Sequence, residues 1–457
     1  MVAVCATLLA ASPGFAAGDD DLDRIPQNLP ASTENPAGDP NTRLYFQDDL
    51  ELAALRSNLV VPVPPPPSPR WEERLFFDAR VRRSLLDNVD FVFSDRFNLR
   101  AEEHLDVPNH EDVRNDLREA YFAWTVDPQT FLNLGRINLK SGVALGFNPT
   151  DFFKTRAVVE PLSADPSVLR EDRLGTLMVM GEHLWEGGSL TVAFAPRITD
   201  RSAIYGNTAL PTFNPMLDRT NAVNRALVKT SFTLTDDVSP ELLAYFEDGR
   251  TRFGANLTYG FGQNVVGYLE WAGGDRANLA TNAIAYGRAT RTIPAFAPPP
   301  FATSSSRFFQ NDVSVGASYT TESKITFNLE YHFHQAGFSG SDWRDWLDVG
   351  ALHIPPLDAE LWYIRAYGAD QQEPLAKHTL FLRADRQDAF IPNLELAGFV
   401  NLDMRDGSAL AQANADYDLS RQWTVGVQSS ATFGGKHSDF GSLPGAATLF
   451  LDVKRYF

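Results

Sequence analysis

Glu330, His332 and His334 form the one group in this sequence whose types and spacing resemble a metal site. On a strand, His-x-His directs both imidazoles to one face, near enough to share an ion. Glu330 becomes a third ligand only if the chain bends, since each step along that face is ~7 Å. Polar lining of a wet interior accounts for all three residues without a metal, so neither metal nor cofactor is expected. His334 with Ser339 or Ser341 comes nearest to a nucleophile–base pair, but a glycine-rich segment separates them. There is no nucleophile elbow, phosphate loop or zinc-protease helix, and the chain is not read as an enzyme.

A larger set carries charge. Arg80 and Arg82, Arg96 and Arg100, Arg250 and Arg252, and Arg383 occupy the polar positions of alternating segments. Arg136 and Lys140 join them from a stretch whose register stays open. Against them stand Asp78, Asp90, Glu119, Glu330, Asp385, Glu395 and Asp403. One reading is a passage with basic and acidic walls, whose transverse field orients polar solutes and filters ions. The other is that these charges pair with one another and wet the wall.

The most distinctive stretch runs from Leu134 to Phe153, LGRINLKSGVALGFNPTDFF. A strand reaches Lys140, glycines then permit a tight reversal, and Asn148-Pro149-Thr150-Asp151 signals a turn or helix start. Thr150 or Asp151 is expected to cap backbone amides there. The segment beyond it, to Glu171, shows no strand pattern, and structureless loops of that length are usually functional. Folded inward, it would bring Asn148, Asp151, Lys154, Arg156, Glu160 and Asp165 to a constriction. Folded outward, it would only cap the mouth.

These groups need elements to position them, and the chain supplies one theme repeatedly. Ten to fourteen alternating residues are succeeded by a short turn, a second such run and a longer loop. In Lys324–His334, Ile325, Phe327, Leu329, Tyr331 and Phe333 share one face, while Thr326, Asn328, Glu330, His332 and His334 share the other. Short turns fall near residues 84–87, 127–129, 186–188, 236–239, 262–263, 321–323, 388–392 and 419–421. Long loops lie between them. Residues 290–307, rich in Pro and Ser, suggest mobile surface. Residues 342–373 carry Trp343, Trp346, Trp362, Tyr363 and Tyr367, with a short helix expected around Ala359–Ala366. Those aromatics pack the loop on the rim or, alternatively, stack on a sugar. The fold class is all-β: a transmembrane antiparallel up-and-down barrel. It has 18 strands if residues 43–55 pair as the first, and 16 if they do not; even counts are the rule.

Composition bounds the rest. Across 457 residues the net charge is −18, which argues against nucleic acid and against a polybasic membrane anchor. Residues 1–16 are expected to be a secretory signal peptide, with an apolar run before Ser12-Pro13 and small residues Gly14 and Ala16. No Lys or Arg precedes that run, which points to a start codon further upstream. Cys5 is the only cysteine and lies inside the signal, so disulfides, zinc-thiolate sites and covalent haem are not expected in the mature chain. Residues 17–41, acidic and Pro-rich, read as a flexible periplasmic segment, and residues 42–457 as the barrel.

The last strand, Leu449 to Phe457, alternates Leu449, Leu451 and Val453 and ends on an aromatic. It resembles the terminal strand of Gram-negative outer-membrane β-barrels, departing from it at Arg455. The resemblance implies an integral outer-membrane protein, set in lipid and lipopolysaccharide, whose terminal strand is read by the barrel assembly machinery and closes on the first. The Gly135-Arg136 strand leading to Asn-Pro-Thr-Asp is similar to an element of porin-like families with specialised transport roles. The family resemblance implies a passive channel for small hydrophilic solutes. Two alternatives stay open: a dedicated channel for an anionic solute or polysaccharide, similar to alginate-type export barrels, and a sheath around an electron-transfer partner.

Overall fold

A computed structural model describes residues 41–457 apart from 66–67, 104–111, 160–162, 205–211, 236 and 301–305. The expected signal peptide and all but the last residue of the acidic lead lie outside the described residues. Eighteen strands succeed one another: β1 Thr42–Leu55, β2 Trp71–Leu86, β3 Val89–Glu102, β4 Val113–Asp127, β5 Thr130–Ile137, β6 Thr176–Trp185, β7 Gly188–Ala195, β8 Arg225–Phe232, β9 Val238–Glu247, β10 Arg250–Phe261, β11 Val265–Arg276, β12 Phe308–Thr320, β13 Ile325–His334, β14 His378–Arg386, β15 Leu394–Asp403, β16 Ala409–Ser420, β17 Trp423–Phe433 and β18 Gly445–Tyr456. Each pairs antiparallel with its sequence neighbours, and β1 pairs with β18 from Tyr45↔Tyr456 to Leu55↔Gly445. The sheet is therefore closed and has no free edge.

The polarity is inverted relative to a soluble sheet. On β13, Phe327 and Leu329 are 40% and 51% exposed, while Asn328, Glu330, His332 and His334 are buried. Exposed Phe, Leu, Val and Trp side chains recur on the same outward face of strand after strand. An apolar exterior around a polar interior is the pattern of a barrel solvated by lipid. No helix among the described residues is long and apolar enough to cross a membrane. Arg455, the departure in the terminal strand, points outward between the rings of Trp423 and Phe457, at 5.4 and 5.1 Å. It belongs to the aromatic girdle at the short-turn end.

At the long-loop end the chain builds a second, conventional core. Helices Leu279–Ala289, Gly340–Gly350 and Pro355–Gln371 bury Leu279, Ile284, Trp343, Trp346, Leu361 and Ile364 together with Val61 from the β1–β2 connection. The Arg365 guanidinium lies over Trp343, Trp346 and Trp362 and pairs with Asp439 at 3.1 Å. Trp343, Trp346 and Tyr363 are thus packing residues, so a sugar-stacking role for them is ruled out by burial. The helix expected at Ala359–Ala366 spans Pro355–Gln371, because Pro355 and Pro356 favour its first turn. The reading of mobile surface from residue 290 is corrected in part, since Ile293 is buried in this cap.

Candidate functional site

Between β5 and β6 the chain turns into the lumen. The reversal is at Gly142, whose φ of +80° is costly for any residue with a Cβ. The backbone beyond it presents its amides to two buried carboxylates on the far wall. Glu270 of β11 accepts from the Val143 and Ala144 amides and, at 3.0 Å, from the Thr150 hydroxyl. Glu330 of β13 accepts from the Leu145 and Gly146 amides at 2.7 and 2.8 Å, and from the Tyr268 hydroxyl at 2.6 Å. The four loop-tip amides from Val143 to Gly146 are thereby paired.

The His-x-His pair completes this seat. His332 meets Glu330 at 2.8 Å and Thr379 at 3.0 Å, and His334 meets Asp312 at 2.9 Å. The Phe147 ring stands edge-on to both imidazoles, 6.0 and 5.6 Å away. The constellation that resembles a metal site in sequence is the socket for this aromatic. Among the described residues His334 makes no pair with a serine; Ser339 instead caps the Gly340–Gly350 helix together with Asp342.

The rest of the inward segment is stapled to other walls. Arg383 of β14 reaches Asp165 and Ser167 at 3.0 and 2.7 Å. Gln412 of β16 donates to the Ser163 hydroxyl at 2.8 Å and accepts from the Ala164 amide at 3.0 Å. Asp172 sits between Arg96 and Arg118, at 2.9 and 3.2 Å, and both guanidiniums also hold the fully buried Asp78, at 3.0 and 2.7 Å. One segment therefore spans the lumen from β3–β4 to β11–β16.

Of the residues expected at the constriction, Asn148, Asp151, Lys154 and Arg156 are buried in this segment, and Glu160 lies outside the described residues. Thr150 and Asp151 do not cap the turn as expected. Thr150 binds Glu270, Asp151 binds Arg173 at 2.6 Å, and the short 3-10 helix Phe152–Lys154 has no side-chain cap. Arg156, at a left-handed φ of 61°, pairs with Asp370 at 3.2 Å, tying the segment to the outer cap.

The expected lining residues divide into paired and open sets. Arg96, Arg252 and Arg383 face inward but are committed to Asp78 and Asp172, to Asp312 (3.4 Å) and to Asp165. Arg82 pairs with Asp90 at 2.8 Å, Arg100 lies 3.6 Å from Asp112, and Lys140 binds Glu171 at 2.5 Å. Asp385 is buried 3.6 Å from Arg383. Arg80, beside Arg43 in the β1–β2 register, closes no ion pair among the described residues, and Arg250 is exposed at the rim. Arg136 falls elsewhere. It registers with Ala120 and Leu177, opposite in face to Asn133 and Met178, and its guanidinium binds the carbonyls of Gly175 and Pro215. Glu119 does face inward, because a bulge opposite Ser94/Asp95 turns both Arg118 and Glu119 to that side.

One array of charge escapes sequence reasoning. Glu395, Asp416, Gly426, Asp452, Asp49, Arg74 and Arg100 lie in a single register row from β15 round to β3. In this row the acidic arc runs on through the β1–β18 closure to Asp49, and the basic arc adjoins it at the β1–β2 pairing, Asp49↔Arg74. Within this row the signs change along one wall.

No protein-family model matches the chain, and no curated protein does. Among solved structures, OccK8 (OprE) of Pseudomonas aeruginosa matches over 91% of this chain and 97% of its own, with 11% identity and a TM-score of 0.52. OccK5 (OpdH) of the same organism matches over 91% and 97%, with 10% identity and a TM-score of 0.51. The fold is porin-like. Such identities establish the architecture, and the chemistry of the lumen has to be argued from this chain's own residues.

Burial makes Lys154 a reporter of the docked segment. Its ammonium donates to the Asn148 carbonyl and stands 4.5 Å over the Phe147 ring, and desolvation lowers its pKa to about 8, only partly offset by Asp151. An undocked segment binds this proton up to the ordinary lysine range, so docking should strengthen as pH rises from about 8 towards ~10.4. Below pH 8 the burial cost is present in full. Protease susceptibility of the 138–175 segment, measured against pH, should fall across that window, and Lys154→Met should abolish the dependence.

Proposed function

We propose that this protein is an integral outer-membrane channel for passive diffusion of small hydrophilic solutes, narrowed by the segment between β5 and β6. The observation that carries this is the combination of a closed 18-stranded barrel with a polar interior and a segment fastened across it. Barrels of this strand number enclose an aqueous passage, whereas eight-stranded ones are filled by side chains. Short turns then face the periplasm and the helical cap faces outward, surrounded by lipopolysaccharide. The strand ending at Phe457 is the element presented to the barrel assembly machinery.

A second reading, selectivity for anions, has its own support. Arg43 and Arg80 project from adjacent register positions on the inner wall without ion pairs among the described residues. The test is single-channel conductance in a planar bilayer, with reversal potential under a salt gradient. Open steps with weak selectivity are expected of the diffusion pore. Small anion-selective steps that Arg80→Gln converts to weak selectivity would favour the dedicated channel. Absence of conductance from a folded barrel would overturn both and favour a plugged or partner-filled barrel.

A further inference from the structure

The apolar exterior has a gap. Residues that register together on the outward face of β14–β18 are small: Ala384, Gly398, Ala413 and Ser429 in one row, and Ala411, Ala431 and Ala447 in the next. They floor a depression of about 750 Å³, walled by Ile325, Leu382, Leu396, Val400 and Phe433. On other strands many outward positions carry large aliphatic and aromatic side chains. The volume falls within the ~300–1,000 Å³ range of small-ligand sites. At the short-turn end the depression is bordered by Arg386, whose outward position is set by its register with Ile325 and Leu396.

Arg386 is anomalous in two respects. It is a cation on the lipid-facing wall, where charge is costly at mid-depth and tolerated only near the headgroups. It also forms no ion pair among the described residues, and its Nε is buried without a hydrogen-bond partner. A guanidinium at the membrane interface, beside an apolar trough and lacking an internal anion, is complementary to a phosphodiester with an acyl chain.

We propose that this depression is a binding site for one phospholipid of the periplasmic leaflet, its phosphate on Arg386 and an acyl chain over the Ala/Gly floor. The choice of leaflet rests on the orientation proposed above. Phosphate binding to Arg386 and chain burial over Ala413 and Ala431 do not depend on it.

Delipidated barrel, shown to be folded by its heat-modifiable electrophoretic mobility, would be titrated with phosphatidylglycerol or with lipid A and weighed by native mass spectrometry. One phosphatidylglycerol per barrel is expected, with about fivefold weaker retention in Arg386→Gln and loss of retention in Ala413→Leu, which fills the floor. Equal retention by wild type and both variants would overturn the site. Retention of lipid A with the same dependence on Arg386 would overturn the leaflet, and with it the orientation, while leaving the site. A dimer that Ala413→Leu dissociates would assign the depression to a second copy of the chain and overturn the lipid.

Discussion

Glu270→Ala is expected to raise single-channel conductance severalfold and to make the current noisy, because it removes the carboxylate that fixes the inner segment to β11. The Val143 and Ala144 amides and the Thr150 hydroxyl all converge on that one side chain, and the side chain is fully buried. Without it these donors are orphaned in a site water reaches poorly, at about 1–3 kcal/mol each. The loss exceeds what an outward-swung loop would need to become populated, since a few kcal/mol separates most alternative conformations. Glu270→Gln keeps an acceptor carbonyl and should show a smaller increase. Gly142→Ala should resemble the alanine variant, because a Cβ there would collide with Asn148, Thr150 and Glu270 together. Unchanged conductance in folded Glu270→Ala would show that the segment is not the narrowing element.

The second large effect is on stability. Asp78→Ala should lower unfolding stability by about 3–5 kcal/mol, since it leaves the buried Arg96 and Arg118 guanidiniums sharing only Asp172. Removing one partner of a buried ionic group costs far more than the group contributes as a whole, because the remaining charge stays out of water. Denaturant unfolding in lipid vesicles, monitored by tryptophan fluorescence, would measure it. Asp172→Ala removes the loop's share of the same cluster and should free the segment near β3–β4 with a smaller loss of barrel stability. A shift below about 1 kcal/mol for Asp78→Ala would mean that water or a counter-ion replaces the carboxylate.

The difference between these residues shows what a sequence reveals. The period-two alternation that places Phe327 and Leu329 outward and Glu330 and His332 inward is local, because successive Cβ atoms in a strand must point to opposite faces. The positions of most strands and the inward direction of Arg96, Arg252, Glu330 and Arg383 come from that rule. The choice of 18 strands over 16 waits on the pairing of β1, and the closing strand is implied by the family resemblance. Polarity fails as a guide to face at Arg136, and strict alternation fails at Arg118. Near the end of β5, the 212–216 segment covers Arg136 on the outward face, and a bulge in β4 adds a second inward charge where strict alternation allows one. Neither event leaves a mark in the local pattern.

What the tertiary structure alone decides is which charges meet. Glu270 and Val143 are 127 residues apart, and Arg383 and Asp165 are 218 apart. Their contact depends on barrel closure, strand tilt and the path of the segment through the lumen, none of which is encoded within one strand. The same holds for the row from Glu395 to Arg100, whose members come from strands spread over most of the chain. It also holds for the small-residue depression at Arg386, which exists only once β14–β18 stand side by side in register. Alternation is a property of neighbouring residues and is legible in the chain. Charge pairing across a closed sheet is a property of register, and register is set only when the barrel closes.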